Sequence, residues 1–220
     1  NMYGLKDNVA RKAGTMGKEE NKEMEFWTQE EFQAFLECVA DKPISYYAFE
    51  MLYWTGIREG ELLALTPADF NFEKKILRIN KSYQRLEGKD VITDPKTPKS
   101  NRTIVMPDFL AVEMEDFISI LYGIKDDDRI FTISKSYLHH EMDRGAKLAG
   151  VKRIRIHGLR HSHISLLINL GFSALAIGKR VGHEAVDITY HYAHLFPTVQ
   201  TDMAAQLEKE REALVNVRKE

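Results

Sequence analysis

Between His157 and His194 the chain reads HGLRHSHISLLINLGFSALAIGKRVGHEAVDITYHYAH, and no acid interrupts it before Glu184. His157 and Arg160 form an H-x-x-R pair, Gly182 precedes His183, and Tyr192 lies nine residues beyond His183. Arginine is a permanent forked cation, histidine donates or carries protons near neutral pH, and a tyrosine hydroxyl can act as a nucleophile. Side chains of these types at this density suit an anionic reaction centre, and a phosphodiester is the anion that fits them best.

Each also has a plainer role. His157 and Arg160 share a helix face at i, i+3. His157 and His161 stand at the i, i+4 spacing of a metal pair. No acid lies between them to act as a base, however, and Arg155 and Arg160 would repel a cation, so no metal is expected. A lone tyrosine is usually packing with a hydrogen-bonded hydroxyl, and Tyr190 competes with Tyr192 as nucleophile. Two further basic groups lie upstream. Arg58, in TGIREGEL, follows a glycine break at a helix start, where it can fork onto phosphate oxygens or simply pair with Glu59 or Glu61. Glu61, one turn on, could hold Arg58 or a site histidine in place. Lys96, in DPKTPKSNR, occupies a turn where an ammonium could protonate a leaving oxygen, or merely keep a hairpin tip soluble.

Elements that could position these groups follow from pattern. Residues 1–25 are polar and without sustained period, as in a linker. Thr28 caps a first helix carrying Phe32, Phe35, Leu36 and Val39, a second covers 44–54, and a third begins at Arg58. Alternation then predicts strands at 76–83, 91–93 and 103–106. Helices resume at about 108–122, 134–149, 157–170, 173–180 and 184–193, with a last one at 198–216. The expected fold class is α+β, mainly α-helical, with a small three-stranded antiparallel sheet on its edge.

At 220 residues with 44% hydrophobic side chains, the chain can bury one ordinary core. Its apolar runs are too short to span a bilayer, the first 25 residues lack the apolar core of a signal peptide, and a cytoplasmic protein with no membrane partner is expected. The single cysteine, Cys38, excludes an intrachain disulfide and reads as a small core residue in a reducing compartment. A net charge of −2 argues against a nucleic-acid partner, but its distribution does not. From Arg144 to His183 there are eight Lys/Arg and no acid, and from Phe72 to Ile104 nine against four. Compensating acids gather at 19–31, 108–128 and after Asp202, so one face can be strongly basic.

Taken together, TGIR58EGEL, Pro-Lys96-Thr in a hairpin, His157-Gly-Leu-Arg160-His, Gly-His183 and Tyr192-Ala-His resemble the catalytic domain of the tyrosine recombinases, the integrase family of phages and conjugative transposons. The resemblance in order, spacing and placement covers about residues 26–196. The Phe26-Trp27-Thr28 start is similar to integrases of Gram-positive mobile elements. The resemblance implies three parts: a linker at 1–25 from an absent core-binding domain, a catalytic domain at 26–197, and a C-terminal helix or tail at 198–220 that protomers can exchange.

It also implies a metal-free, cofactor-free transesterification that integrates and excises a mobile element. Tyr192 would attack a scissile phosphate to leave a 3′-phosphotyrosine, Arg58 and Arg160 would hold the non-bridging oxygens, and His183 would add a hydrogen bond. His157 would be a base or orienting donor, and Lys96 the acid for the 5′ leaving oxygen. Lys81, Arg85, Lys99, Arg102, Lys147, Lys152, Arg153 and Arg155 would grip backbone phosphates. The implied partners are double-stranded DNA, three further copies in a tetramer, and an accessory DNA-bending factor. Alternatives are a type IB topoisomerase, a non-catalytic DNA-binding module, and a metal-dependent phosphohydrolase.

Overall fold

The computed structural model describes residues 24–94, 100–183, 185–192, 207–209 and 211. Most of the expected linker, the turn bearing Lys96 and Lys99, and nearly all of the expected last helix lie outside them. The helical body opens at a reciprocal cap. The Thr28 hydroxyl accepts from the Glu31 amide at 3.2 Å, and the Glu31 carboxylate accepts from the Thr28 amide at 2.8 Å. Helix α1 (Gln29–Val39) then buries Phe32, Phe35, Leu36 and Val39 on one stripe. Helix α2 (Pro43–Thr55) starts on a proline and stops at Gly56. Gly56 has φ +64°, and a Cβ there would lie 2.6 Å from the His163 ring, so both conformation and space require glycine.

Helix α3 (Glu59–Leu62) is one turn long, shorter than its apolar run to Leu65 suggests. Pro67 opens a 3-10 turn (Pro67–Asp69), and the residue before a proline is biased to extended backbone, so Thr66 ends the run. Two sheets follow where sequence alternation gave one. Strand β1 (Phe70–Asn71) and strand β5 (Arg102–Val105) flank β2 (Ile76–Ile79), all antiparallel, while β3 (Ser82–Leu86) and β4 (Lys89–Thr93) form a separate hairpin. The expected single strand at 76–83 breaks at Asn80–Lys81, where the Lys81 ammonium is drawn to Asp69 at 2.7 Å. Glu87 (φ +50°) and Gly88 (φ +79°) supply the two left-handed residues that a tight hairpin turn needs.

Helices α4 (Asp108–Ser119), α5 (Lys135–Ala149), α6 (Ile156–Asn169), α7 (Ala174–Val181) and α8 (Ala185–Tyr192) complete the described body. Helix α6 is the shared wall of two apolar clusters. Leu159 belongs to the main core with Trp27, Phe35, Phe49 and Leu52. Ile164 and Ile168 face a smaller cluster with Ile177, Val181, Ile188 and Tyr192. The β3–β4 hairpin is tethered by Arg129, whose guanidinium lies 4.4 Å from the Tyr83 ring centroid, 2.9 Å from Asp90 and 3.2 Å from the Leu63 carbonyl. Among the described residues no helix is long and apolar enough to cross a membrane.

Candidate active site

Because α6 is packed on nearly every side, Arg160 is carried into the interior and is only 1% exposed. Its terminal nitrogens donate to the carbonyls of Gly56 (2.6 Å) and Val181, at the C-terminal ends of α2 and α7. Those ends carry partial negative charge, which offsets part of the cost of burying the cation. The partners are dipoles and not carboxylates, and Nε has no hydrogen-bond partner among the described residues. Burial, then the charges of Arg58 and Arg102, weaken its hold on its proton. A buried cation beside two others leaves a site short of negative charge.

Glu61 supplies the compensating acid. It is 4% exposed and accepts from the Arg58 amide (2.8 Å), the Arg58 guanidinium (2.9 Å) and both terminal nitrogens of Arg102 (3.0 and 2.9 Å). Burial alone would raise its pKa, but the bonds from Arg102 and Arg58 prevail and hold it below the usual carboxylate value. Arg58, 35% exposed, is thereby held at the mouth of the site with its guanidinium still reachable. Of the partners open to Glu61 in the sequence, the structure pairs it with Arg58. Arg102 requires a correction: it is not an outer phosphate grip but is buried, tied to Glu61, Ser100 O and Arg180 O. The signal was present, since Arg102 and Ile104 share the inward face of β5.

The remaining groups converge on Arg160. Burial, then the charges of Arg160 and Arg58, lower the proton affinity of His157 and His183, and the Arg160 charge opposes the upward shift of Tyr192. His183 sits just past Gly182, the left-handed cap of α7, where both amides donate to Gly178 O (2.8 and 2.9 Å). Burial, Arg160 and Arg58 push its pKa down to about 4, so its ring is neutral at pH 7 in the absence of an anion. Tyr192 ends α8 and is 2% exposed; burial raises its phenol above the usual range. Its hydroxyl is hydrogen-bonded to Nδ1 of His161, a residue weighed from sequence only as a metal ligand. Sequence reasoning also missed His163 and Arg180. The Arg180 guanidinium donates to His163 Nε2 (3.0 Å), Val105 O (3.0 Å) and Trp54 O (3.1 Å), pinning α7 to α2, β5 and α6.

Arg58 and His157 open onto a cleft of about 550 Å³, lined also by Arg85, Glu59, Lys135 and the Ser134–Ser136 start of α5. The positive end of that helix adds to the anion-attracting field. Lys135 was not anticipated; Arg85 was. Lys147, Lys152, Arg153 and Arg155 are exposed, Arg153 already paired with Asp143 at 2.7 Å. Lys81 is half-buried and engaged by Asp69 and Thr66, so it is less free than expected. Lys96 and Lys99 lie outside the described residues.

Residues 25–198 match the Phage integrase family. The chain is 30% identical over 217 residues to the ICEBs1 integrase of Bacillus subtilis (strain 168), covering 92% of this chain and 58% of that protein. It is also 30% identical over 180 residues to the integrase of Staphylococcus phage L54a, covering 74% and 51%. It therefore spans little more than half the length of these relatives. Among solved structures, the Tn1549 transposon integrase in complex with a circular intermediate DNA superposes with TM-score 0.72 at 22% identity, covering 85% of this chain and 67% of that one. The catalytic domain of bacteriophage HP1 integrase gives 0.58 at 19% identity, over 83% and 95%. With the motifs in register on this fold, and the family match spanning most of its length, the chain belongs to the phage integrase family, the tyrosine recombinases.

Proposed function

We propose that this chain is the catalytic part of a site-specific recombinase that integrates and excises a mobile element by cleaving and rejoining DNA through a 3′-phosphotyrosine. The observation that carries the reading is the interior Arg160, bonded to carbonyls and flanked by Arg58 and Arg102 with one carboxylate among them, next to a buried phenol. Among the described residues three guanidinium groups share the single Glu61 carboxylate, and a phosphodiester brings the further negative charge that suits them. Tyr192 attacks phosphorus, Arg58 and Arg160 hold the non-bridging oxygens, and His183 donates to the developing charge. Removing one such preorganised donor costs about 3–4 kcal/mol of transition-state stabilisation. Lys96 protonates the departing 5′-oxygen, and His157 acts as base or orienting donor. The ester bond is conserved in the phosphotyrosine, so rejoining needs no nucleotide cofactor.

Arg85, Lys135 and the exposed bases of 147–155 carry the DNA backbone across the cleft, fixing register more than sequence. The recombining unit is a tetramer on DNA with an upstream core-binding module and a DNA-bending factor; the names of the relatives favour a mobile element. The test uses nicked suicide duplexes drawn from the DNA flanking the coding sequence, incubated in EDTA and resolved under denaturing conditions. A protein–DNA adduct lost in Tyr192→Phe and kept in Tyr190→Phe supports the reading. No adduct under any condition points to a binding module, an adduct that needs added metal to a hydrolase, and relaxation of arbitrary plasmids to a topoisomerase.

A further inference from the structure

Tyr192 faces a problem that its anion-binding neighbours do not solve. Its ring is packed with Ile164, Ile168, Ile177, Val181 and Ile188, and burial holds its hydroxyl firmly protonated; the nearby Arg160 charge offsets this only in part. A protonated phenol is a poor nucleophile, so its proton needs a defined destination during attack. Its hydroxyl is hydrogen-bonded to Nδ1 of His161, the residue after Arg160 on α6. The His161 ring is steadied one turn back by His157, whose ring meets it edge-on, with centroids 4.8 Å apart and planes at 90°. His157 in turn borders the cleft beside Arg58.

We propose that His161 is a catalytic residue, the base that takes the Tyr192 proton, with His157 holding its plane. The inference rests on Tyr192 being the nucleophile. In the neutral imidazole with hydrogen on Nε2, the Nδ1 lone pair receives the phenolic hydrogen. As the Tyr192 Oη–phosphorus bond forms, the Oη–H bond breaks along that hydrogen bond and His161 becomes imidazolium. The phosphorus–5′-oxygen bond breaks, and that oxygen is protonated separately, by Lys96 in the proposed scheme. In rejoining, the 5′-hydroxyl attacks phosphorus and gives its proton back to the neutral Lys96 amine, the phosphorus–tyrosine oxygen bond breaks, and His161 returns its proton to the leaving tyrosine oxygen. General base catalysis of this kind is worth 10²–10⁴-fold.

The decisive experiment crosses His161→Ala with a more acidic phenol, 2,3,5-trifluorotyrosine, incorporated at position 192 of the full-length protein. Adduct formation is timed on the same nicked duplexes. His161→Ala is expected to slow cleavage about 100-fold or more at unchanged DNA affinity. The fluorinated phenol, which gives up its proton far more readily in the same surroundings, is expected to restore most of that loss. It is not expected to restore Arg160→Lys. Should His161→Ala misfold, His161→Asn, which keeps an acceptor but is not basic, replaces it with the same expectations. Cleavage within about threefold of wild type, or a loss that the acidic phenol leaves untouched, overturns the proposal. If Tyr192→Phe itself still forms the adduct, the recombinase scheme fails instead. If Tyr192→Phe is dead while His161→Ala is active, only the base assignment falls.

Discussion

Replacing Glu61 with alanine probes the electrostatic frame of the site. The wild-type carboxylate is 4% exposed and bonded to two guanidinium groups and one amide. Its removal strands Arg102, which is 8% exposed, near Arg58, Arg160 and Arg180 with no other acid bonded to it among the described residues. Breaking a buried ion pair by deleting one partner costs about 3–5 kcal/mol, whereas a domain is stable by only about 5–15 kcal/mol in total. Urea unfolding followed by circular dichroism at pH 7 should therefore show Glu61→Ala losing about 3–5 kcal/mol. The double variant Glu61→Ala/Arg102→Met no longer carries the stranded charge and should recover at least about 1 kcal/mol of that loss. Glu61 has its pKa depressed in the fold, so its contribution is present above the usual carboxylate pKa of 4.5 and fades as pH falls through the lower folded value. The variants should lack that acid-side component. A loss below about 1 kcal/mol, or a double variant weaker than Glu61→Ala, would refute the claim that this carboxylate neutralises the arginine cluster.

Three other outcomes follow from the same geometry. His163 is 2% exposed, and burial followed by the Arg180 charge pushes its pKa down to about 3 from 6.5, so the unfolded chain binds a proton that the fold refuses. Its stability contribution is intact above pH 6.5 and lost progressively below it, by about 2 kcal/mol at pH 5 relative to pH 7. Denaturant titrations at both values check this, and His163→Gln should flatten the slope. Gly56→Ala should cost well over ~1 kcal/mol in the same assay, because alanine is strained at φ +64° and its methyl would strike the His163 ring. Arg129→Ala should speed amide exchange in β3–β4 while leaving α1 and α2 unchanged, since it removes the contacts to Asp90, Leu63 O and the Tyr83 ring; unchanged hairpin exchange would show that the tether is elsewhere.

Helices were legible in the chain because their signals are local. Thr28 with Glu31, and Ser134, mark starts through bonds to near neighbours, Pro43 marks one by its fixed φ and missing N–H, and Gly56 and Gly150 mark stops by their left-handed backbone; the structure places α1, α2 and α5 within a residue or two of them. The H-x-x-R, Gly-His and Tyr192 spacings likewise exposed which residue types belong to the site. Partnerships were not legible, because they span long separations. Alternation along β5 tells that Arg102 turns inward, but nothing local names Glu61, 41 positions earlier, as the carboxylate it meets. Nor does anything local to His161 tell that a phenol 31 residues away rests on it. The division of the strands into two sheets lies in which strand pairs with which, and alternation does not encode pairing. Side-chain type and periodicity are properties of the chain, so the sequence alone determined the inventory of cations, imidazoles and phenol and the helices bearing them. Which cation is neutralised and which left wanting an anion depends on burial and on helix ends meeting in space, and only the tertiary fold decided that.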